Sequence, residues 1–198
     1  YSGFLYQNLE GVDTTVEFPI ANTAESKQYA RDLLDRLQPS VVIATERCSL
    51  TSTGRYLNMH GIDISPYNAK LDYLISSHPV TVGIGDGGNE IGMGNLHDEI
   101  VNTPSLPSEP SVTSASQLII ASVSNWGAYG LIAALSQLAG RNLLPTVEEE
   151  EAIIRLMVDK GAVDGISTQQ VYKADGFSLE KNGATLSRLR TLLAREGL

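Results

Sequence analysis

The residues best suited to chemistry lie in a glycine-rich segment, residues 85–94, which holds five glycines in ten residues. Glycine costs backbone entropy and supplies no packing surface, so such a segment forms no regular element. It can instead turn backbone N–H groups toward an anion. Asp86 and Glu90 lie inside the segment. We therefore predict a site for a small zwitterionic or carboxylate ligand; the alternative is a glycine-rich turn without a ligand.

A second polar segment, residues 46–65, combines several side chains that suit such a ligand. Arg47 or Arg55 can hold a carboxylate through two parallel hydrogen bonds. Glu46 or Asp63 can hold an ammonium group or act as a base. The alternative is a solvated loop whose Arg–carboxylate pairs serve the structure. We expect His60 to form hydrogen bonds within the loop and Cys48 to be a bystander thiol.

Known motifs account poorly for these residues. Residues 83–88 formally fit the dinucleotide-binding pattern G-x-G-x-x-G, but Gly92 and Gly94 interrupt the helix that should follow, and a Pro/Ser loop replaces the acidic residue expected later. The chain has no Walker lysine, nucleophile elbow or zinc-spaced histidine pair. No organic cofactor is evident. Asp86, Glu90 or Glu46 offers the hard oxygen ligands that Mg²⁺ or Mn²⁺ prefers.

The elements that must position these residues alternate between strand and helix. Apolar runs predict strands at 40–45, 80–84 and 118–121, with a short further strand at 14–19. Helical spacing and caps predict helices at 23–38, from Ser65 onward, 124–138, 146–160 and 180–195. Residues 102–116 are predicted as loop, and 163–177 as two short strands or turns. This alternation predicts an α/β fold, a three-layer open, mostly parallel sheet flanked by helices.

The predicted site residues all follow strand ends. Ligands of open parallel sheets bind beyond the carboxyl ends of the strands. The first strong strand ends at Glu46, the second at Asp86, and the third just before Ser124 and Asn125. We therefore expect Glu46, Asp86 and Asn125 to converge on one cleft.

Composition excludes several classes of protein. The 198 residues suffice for a single domain, which we place at 1–198. The net charge of −9 argues against a nucleic-acid or anionic-membrane partner. One cysteine, no membrane-length apolar run and no visible signal peptide favour an intracellular protein, cytoplasmic in a bacterium or fungus, with the mitochondrial matrix as an alternative in an animal. The chain starts at Tyr1 rather than Met, so we expect a preceding segment. Its partner is a small-molecule substrate, and it could form a homo-oligomer.

Three segments in order resemble the D-glutamate cyclase family. They are Glu46-Arg47 through Arg55-Tyr56-Leu57-Asn58-Met59-His60-Gly61-Ile62-Asp63, then residues 85–94, then Ser124-Asn125-Trp126-Gly127-Ala128-Tyr129. The resemblance covers about residues 40 to 195. The chain departs from the family pattern at Ser49, Thr53 and Leu57, where glycine, aspartate and tyrosine are typical. The family's first strand and its loop do not occur within the chain.

The resemblance implies intramolecular dehydration of D-glutamate to 5-oxo-D-proline. One carboxylate would act as base, an acid or a divalent metal would assist departure of water, an Arg would hold the α-carboxylate, and backbone amides of the glycine segment would stabilise an oxyanion. The expected catalytic residues are Glu46, Asp86 and Glu90. The expected substrate-binding residues are Arg47, Arg55, Tyr56, Asn58, Asp63, Gly87, Gly88, Asn89, Ser124 and Asn125.

Two other functions stay open from the sequence. One is a different lyase or an amidohydrolase that acts on a small amino or keto acid at the same site. The other is a non-catalytic protein that binds a small carboxylate. Turnover of D-glutamate separates the first from a cyclase, and ligand-induced thermal stabilisation without turnover identifies the second.

Overall fold

A computed structural model of the chain describes residues 15–198. The helices of this part are α1 Thr23–Leu37, α2 Asp72–Ser76, α3 His97–Val101, α4 Ser124–Ala139, α5 Val147–Asp159 and α6 Leu179–Arg195. The strands are β1 Val42–Thr45, β2 Thr81–Gly85, β3 Gln117–Ile120, β4 Lys173–Ala174 and β5 Phe177–Ser178. Short 3₁₀ turns lie at Ser65–Tyr67 and Gly94–Leu96. The described residues form two compact units, one ending at Asn125 and the other spanning Trp126–Leu198.

The first unit is built on a parallel sheet in the order β1-β2-β3. Ala44 of β1 pairs with Gly83 of β2, and Gly83 pairs with Leu118 of β3. All three strands therefore end at the same edge. This mixed α/β arrangement, a parallel sheet flanked by helices, confirms the predicted fold class and is consistent with three layers.

Apolar side chains from β1, α2 and the glycine segment form the core of this unit. Ile75 and Ile91 are buried together with Ala115, and Val42 and Ala44 of β1 pack against them. The next residue of β1 differs, because Ile43 is 45% exposed. The expectation that this strand is covered on both faces is therefore wrong within the described residues, where β1 lies at an edge of the sheet.

The glycine segment lies directly against β2, and this close approach explains Gly83 of β2 and Gly92 of the segment. A Cβ atom on Gly83 would lie 2.6 Å from the carbonyl oxygen of Ile91 and 2.7 Å from the Cα of Gly92. Gly92 also has φ +102°, in the left-handed region that other residues avoid. The segment thus packs backbone against backbone, which side chains at these positions would prevent.

The second unit begins within α4 and contains α5, the β4–β5 hairpin and α6. The predicted capping box is present at α5, where Thr146 accepts from the amide of Glu149 and the Glu149 side chain accepts from the amide of Thr146. Leu144, Leu186 and Leu193 form one of its cores. Trp126 donates through Nε1 to Oδ1 of the buried Asn182 at 2.8 Å.

Several element predictions differ from the structure. Residues 15–19 form no regular element, so the short strand predicted there is wrong; Thr14 lies outside the described residues. The helix predicted from Ser65 is divided into a 3₁₀ turn and α2, because Asn68 adopts an extended backbone between them. The predictions missed α3, since the glycines before it favoured a loop. The loop at 102–116 and the strands at 173–178 agree with prediction.

Among the helices of residues 15–198, none combines the length and the apolar character that crossing a membrane requires.

Candidate active site

Three carboxylates meet at the carboxyl end of the parallel sheet. Glu46 follows β1, Asp86 follows β2, and Glu90 lies four residues further on, in the glycine segment. One carboxylate oxygen of each lies within 4.8 Å of the others. We call these three residues the carboxylate cluster. The expectation from the strand ends therefore holds for Glu46 and Asp86, which the parallel register brings to one edge.

Glu46 is the exposed member of the cluster, and its backbone is strained. Its φ of +52° places a non-glycine residue in the left-handed region, at the point where β1 ends. The conformation is held by a hydrogen bond from its amide to the carbonyl of Ile84 at 3.0 Å. Strained backbone of this kind recurs at functional sites, where it fixes the direction of a side chain. Glu46 is the most exposed of the three carboxylates, whereas Asp86 is half-buried and Glu90 is buried.

Asp86 is fixed by the first residue of α4. Its Oδ2 accepts from the amide of Ser124 at 2.9 Å and from the Ser124 hydroxyl at 3.3 Å. Ser124, a predicted site residue, thus holds a catalytic candidate in place. Asn125 follows directly and is half-buried at the same edge.

Glu90 occupies the anion-binding amides of the glycine segment. Its Oε1 accepts from the amide of Gly87 at 2.9 Å and its Oε2 from that of Gly88 at 2.8 Å. The anion that these amides hold is therefore the chain's own carboxylate, which does not fit the oxyanion role expected for them. Glu90 is 2% exposed. Burial raises the pKa of its carboxyl above the ordinary value and the neighbouring Asp86 raises it further, against the lowering by the two amides.

The two arginines predicted to bind substrate are engaged elsewhere. Arg47 donates from Nη2 to the carbonyl of Ala69 at 2.9 Å and lines a cavity of about 210 Å³ formed mainly by apolar residues of β1 and α2. Its Nε is buried and has no hydrogen-bond partner within residues 15–198. Arg55 forms an ion pair with Glu109 at 2.7 Å, with both side chains partly exposed. Thr53 donates to the same carboxylate at 2.8 Å.

Tyr56 lies in the interior of the first unit and is hydrogen-bonded to Asp72. It is 1% exposed, so its ring offers no surface to a substrate, and its hydroxyl donates to Oδ2 of Asp72 at 2.6 Å. Burial, followed by the adjacent Asp72, raises the pKa of Tyr56 well above its usual range. The substrate-binding role predicted for Tyr56 does not fit this placement.

The remaining candidates of the loop make local hydrogen bonds. Oδ1 of Asn58 accepts from the amides of His60 and Ile62. Asp63 accepts from the amide of Ser65 at 2.9 Å, and hydrogen bonds with Ser65 lower the pKa of this exposed carboxyl. Asn89 donates to the carbonyl of Leu57 at 3.0 Å and so ties the loop to the glycine segment. Substrate contact by these residues stays a prediction.

Cys48 is a poor nucleophile in this structure, in agreement with its expected bystander role. Its thiol donates to the carbonyl of Leu57 at 3.2 Å. Burial raises the pKa of the thiol to about 11, in spite of the adjacent Arg47 guanidinium, which lowers it.

Comparison with known proteins shows the family to which the chain belongs. Residues 4–190 match the family described as D-glutamate cyclase-like, C-terminal. The chain belongs to this D-glutamate cyclase-like family. It is also 25% identical over 182 residues to a human protein, D-glutamate cyclase, mitochondrial. That alignment covers 73% of this chain and 28% of the human protein, so the chain spans little more than a quarter of that relative.

Sequence reasoning missed three buried polar residues of this D-glutamate cyclase-like chain. Asp72, Ser111 and Thr113 are buried beneath the loop and the glycine segment. One signal was available for Asp72: it lies three residues before the buried Ile75 on the same short helix, so a carboxylate shares the apolar face. Ser111 and Thr113 lie in a Pro/Ser-rich loop, where the sequence shows no periodicity.

The carboxylate cluster fits a divalent metal ion. Three oxygen ligands from Glu46, Asp86 and Glu90 lie close enough together to share one ion, and hard oxygen ligands suit Mg²⁺ or Mn²⁺. The exposed position of Glu46 leaves one side of the cluster accessible to solvent or substrate oxygens. Within residues 15–198, this is the one group of three or more His, Cys, Asp or Glu side chains with such spacing.

Proposed function

We propose that this chain catalyses the intramolecular dehydration of D-glutamate to 5-oxo-D-proline, as a lyase. The observation that carries the proposal is the convergence of three carboxylates at the sheet edge of a D-glutamate cyclase-like chain. The name of the human relative supplies the substrate, and the residues supply the acid–base groups that the reaction requires.

The reaction joins two ends of one molecule. The substrate nitrogen attacks the side-chain carboxyl carbon, a C–N bond forms, and one C–O bond breaks. The ammonium group loses two protons, and these leave with one carboxylate oxygen as water. A negatively charged cluster favours the ammonium end of the substrate and provides bases for its protons. Folding the substrate so that nitrogen and carboxyl carbon meet supplies much of the acceleration.

The three carboxylates differ in ways that suit separate roles. Glu46 is exposed and is the member that takes the proton from the attacking nitrogen. Asp86, fixed by Ser124, faces the ammonium group as a carboxylate. Glu90 is buried and its pKa is raised, so in the metal-free site it holds a proton to higher pH than an ordinary glutamate and gives it to the departing oxygen. Separation of acid and base by environment is the usual basis of paired carboxylate catalysis.

We further propose that the cluster holds Mg²⁺ or Mn²⁺ during turnover. A bound divalent ion would polarise the substrate carboxyl group as a Lewis acid. Glu46, Asp86 and Glu90 are the residues that would bind it, with Glu90 deprotonated, so the ion would take over from the Glu90 proton in assisting departure of the oxygen.

The test is an assay of the purified protein with D-glutamate, with L-glutamate and a panel of small amino and keto acids as comparisons. Each reaction is run after chelation and after addition of Mn²⁺ or Mg²⁺, and 5-oxoproline is resolved on a chiral column. We expect 5-oxo-D-proline from D-glutamate alone. Turnover of another panel member in its place would overturn the substrate, and equal turnover after chelation would overturn the metal.

A further inference from the structure

Asp72 is the centre of a buried hydrogen-bond network outside the carboxylate cluster. It is 1% exposed and accepts four hydrogen bonds. Its Oδ1 accepts from the Ser49 hydroxyl at 2.7 Å, the Leu50 amide at 3.0 Å and the Thr113 hydroxyl at 2.6 Å, and its Oδ2 accepts from Tyr56. All four donors are neutral, and a buried carboxylate with several such bonds holds its partners strongly.

One side of this network reaches the segment that carries Glu46. Ser49 and Leu50 follow Glu46 by three and four residues. The amide of Ser49 in turn donates to the carbonyl of Asn89 at 2.8 Å. The amide of Ile91 donates to the carbonyl of Arg47 at 2.8 Å. Asp72 therefore fixes residues 47–49, whose backbone is hydrogen-bonded to Asn89 and Ile91 on either side of Glu90.

The other side reaches the glycine segment through the chain at 111–113. While the Thr113 hydroxyl donates to Asp72, the Thr113 carbonyl accepts from the amides of Gly92 at 2.8 Å and Gly94 at 3.3 Å. Ser111 donates through its hydroxyl to that of Ser49 at 2.8 Å and through its amide to the carbonyl of Gly88 at 3.0 Å. The same carboxylate thus holds the backbone before and after Glu90.

We propose that Asp72 is a positioning residue that sets the spacing of the carboxylate cluster by fixing the Glu46 and Glu90 segments to each other. Its catalytic consequence rests on the proposed function, whereas its effect on the two segments does not. Catalytic groups require support of this kind, because small displacements reduce rates severely. An asparagine keeps the shape of Asp72 but removes the charge that draws three donors to one oxygen.

Amide hydrogen exchange of Asp72→Asn, followed by NMR, tests the positioning directly. The reporters are the amides of Ser49, Ile91 and Gly92, which join the two segments to their partners. We expect their exchange to accelerate at least tenfold more than that of amides in the β2–β3 ladder. The control is Leu33→Ala, a buried apolar position of α1 in the same unit, which removes stability without touching the network. It should accelerate exchange uniformly.

Turnover provides the second readout. We expect Asp72→Asn to lower kcat more than tenfold and to change KM less than threefold, since the cluster is displaced but present. Reporter exchange no faster than in Leu33→Ala overturns the proposal. Faster exchange with kcat within threefold of wild type also overturns it, and makes Asp72 a residue that stabilises the core without positioning the cluster.

Should Asp72→Asn fail to fold, the isosteric Thr113→Val is judged by the same criteria. If the wild-type protein does not turn over D-glutamate, the proposed function fails, and exchange alone decides the positioning.

Discussion

Asp86 is anchored through one oxygen to both donors of Ser124, an arrangement that an asparagine side chain can reproduce with its carbonyl oxygen. The Asp86→Asn variant should therefore fold normally, keep both hydrogen bonds from Ser124 and lack only the negative charge. We expect kcat for D-glutamate to fall on the order of a hundredfold, the usual scale for the loss of one preorganised electrostatic group at a reacting centre. Kinetics and thermal melting check this. The control is Asp98→Asn, whose side chain is 95% exposed. Wild-type turnover in Asp86→Asn would return Asp86 to a purely structural role.

The ion pair between Arg55 and Glu109 allows a specific test of the prediction that Arg55 binds a substrate carboxylate. Exposed ion pairs are weak, so a substrate carboxylate can compete with Glu109 for the guanidinium. We expect Arg55→Met to raise KM for D-glutamate roughly thirtyfold. Glu109→Gln breaks the same pair but leaves Arg55 available, so KM should stay equal or fall. If both variants change KM alike, the pair serves the loop and the substrate is held elsewhere.

Glu150 gives a prediction about pH, because its carboxyl is buried and only one of its oxygens has a partner. The Tyr129 hydroxyl donates to Oε1, while the buried Oε2 has no partner in the part of the chain that the structure describes. Burial raises the pKa of Glu150, so the folded protein binds its proton more tightly than the unfolded chain does. The folded state is therefore penalised progressively as pH rises from about 4.5, the ordinary value, through the raised pKa.

The variant Glu150→Gln removes this titration. We expect its Tm, relative to wild type, to increase as pH rises from about 4.5 to neutrality, because the wild-type protein alone loses stability there. Melting curves across this range measure the difference. Parallel curves for the two proteins would show that the carboxyl titrates normally.

The sequence predicted the cluster residues but not what supports them. Glu46 and Asp86 were predictable because a general rule places the ends of parallel strands together. Glu90 was predicted as catalytic, but its hold on the amides of Gly87 and Gly88 depends on the fold of the turn, which composition does not specify. The role of Tyr56 depends on Asp72, sixteen residues away, and no local pattern links them.

At the scale of elements, the close approach of the glycine segment to β2 predicts a large difference between two glycines. In Gly83→Ala, the new Cβ would lie 2.6 Å from a backbone oxygen, so the segment must shift. We expect a loss of about 1–3 kcal/mol in unfolding free energy. Among the described residues, and apart from its own helix, no atom lies within 4 Å of such a Cβ on Gly130, which is inside α4. Gly130→Ala should gain about 0.5–1 kcal/mol.

Denaturant unfolding of both glycine variants measures this contrast. The outcome against the prediction is equal stability for Gly83→Ala and wild type, which would mean that the glycine segment is not seated on β2. The pair also separates steric demand from helix propensity, since the substitution is the same in each case.

Elements with local signals were predicted best. The helix after Thr146 carries its own capping box, and Gly140 follows α4, so both helices end close to where the sequence places them. The helix expected from Ser65 is interrupted because Asn68 adopts an extended backbone. The cap signal at Ser65 is local and does not report this interruption. The exposure of Ile43 depends on which strands and helices lie beside β1, and an apolar run in the sequence does not contain this information.

For the whole molecule, the dominant feature is an acidic charge that opposes its proposed substrate. The net charge is −9, and D-glutamate is itself an anion near neutral pH. We therefore expect long-range forces to slow association with this substrate, so that capture has to rest on short-range groups, for which Arg55 is our candidate. Added salt screens the repulsion, since the Debye length falls to about 10 Å at about 0.1 M.

We accordingly expect kcat/KM for D-glutamate to rise about two- to threefold as ionic strength increases from about 0.01 to about 0.1 M, through association rather than chemistry. The increase should appear in kcat/KM while kcat stays constant. Tetramethylammonium chloride in place of KCl separates screening from a specific effect of K⁺. A fall in kcat/KM with either salt would mean that the substrate experiences a positive local field, so that the cationic groups near the site, or a bound metal ion, outweigh the acidic surface over the whole approach.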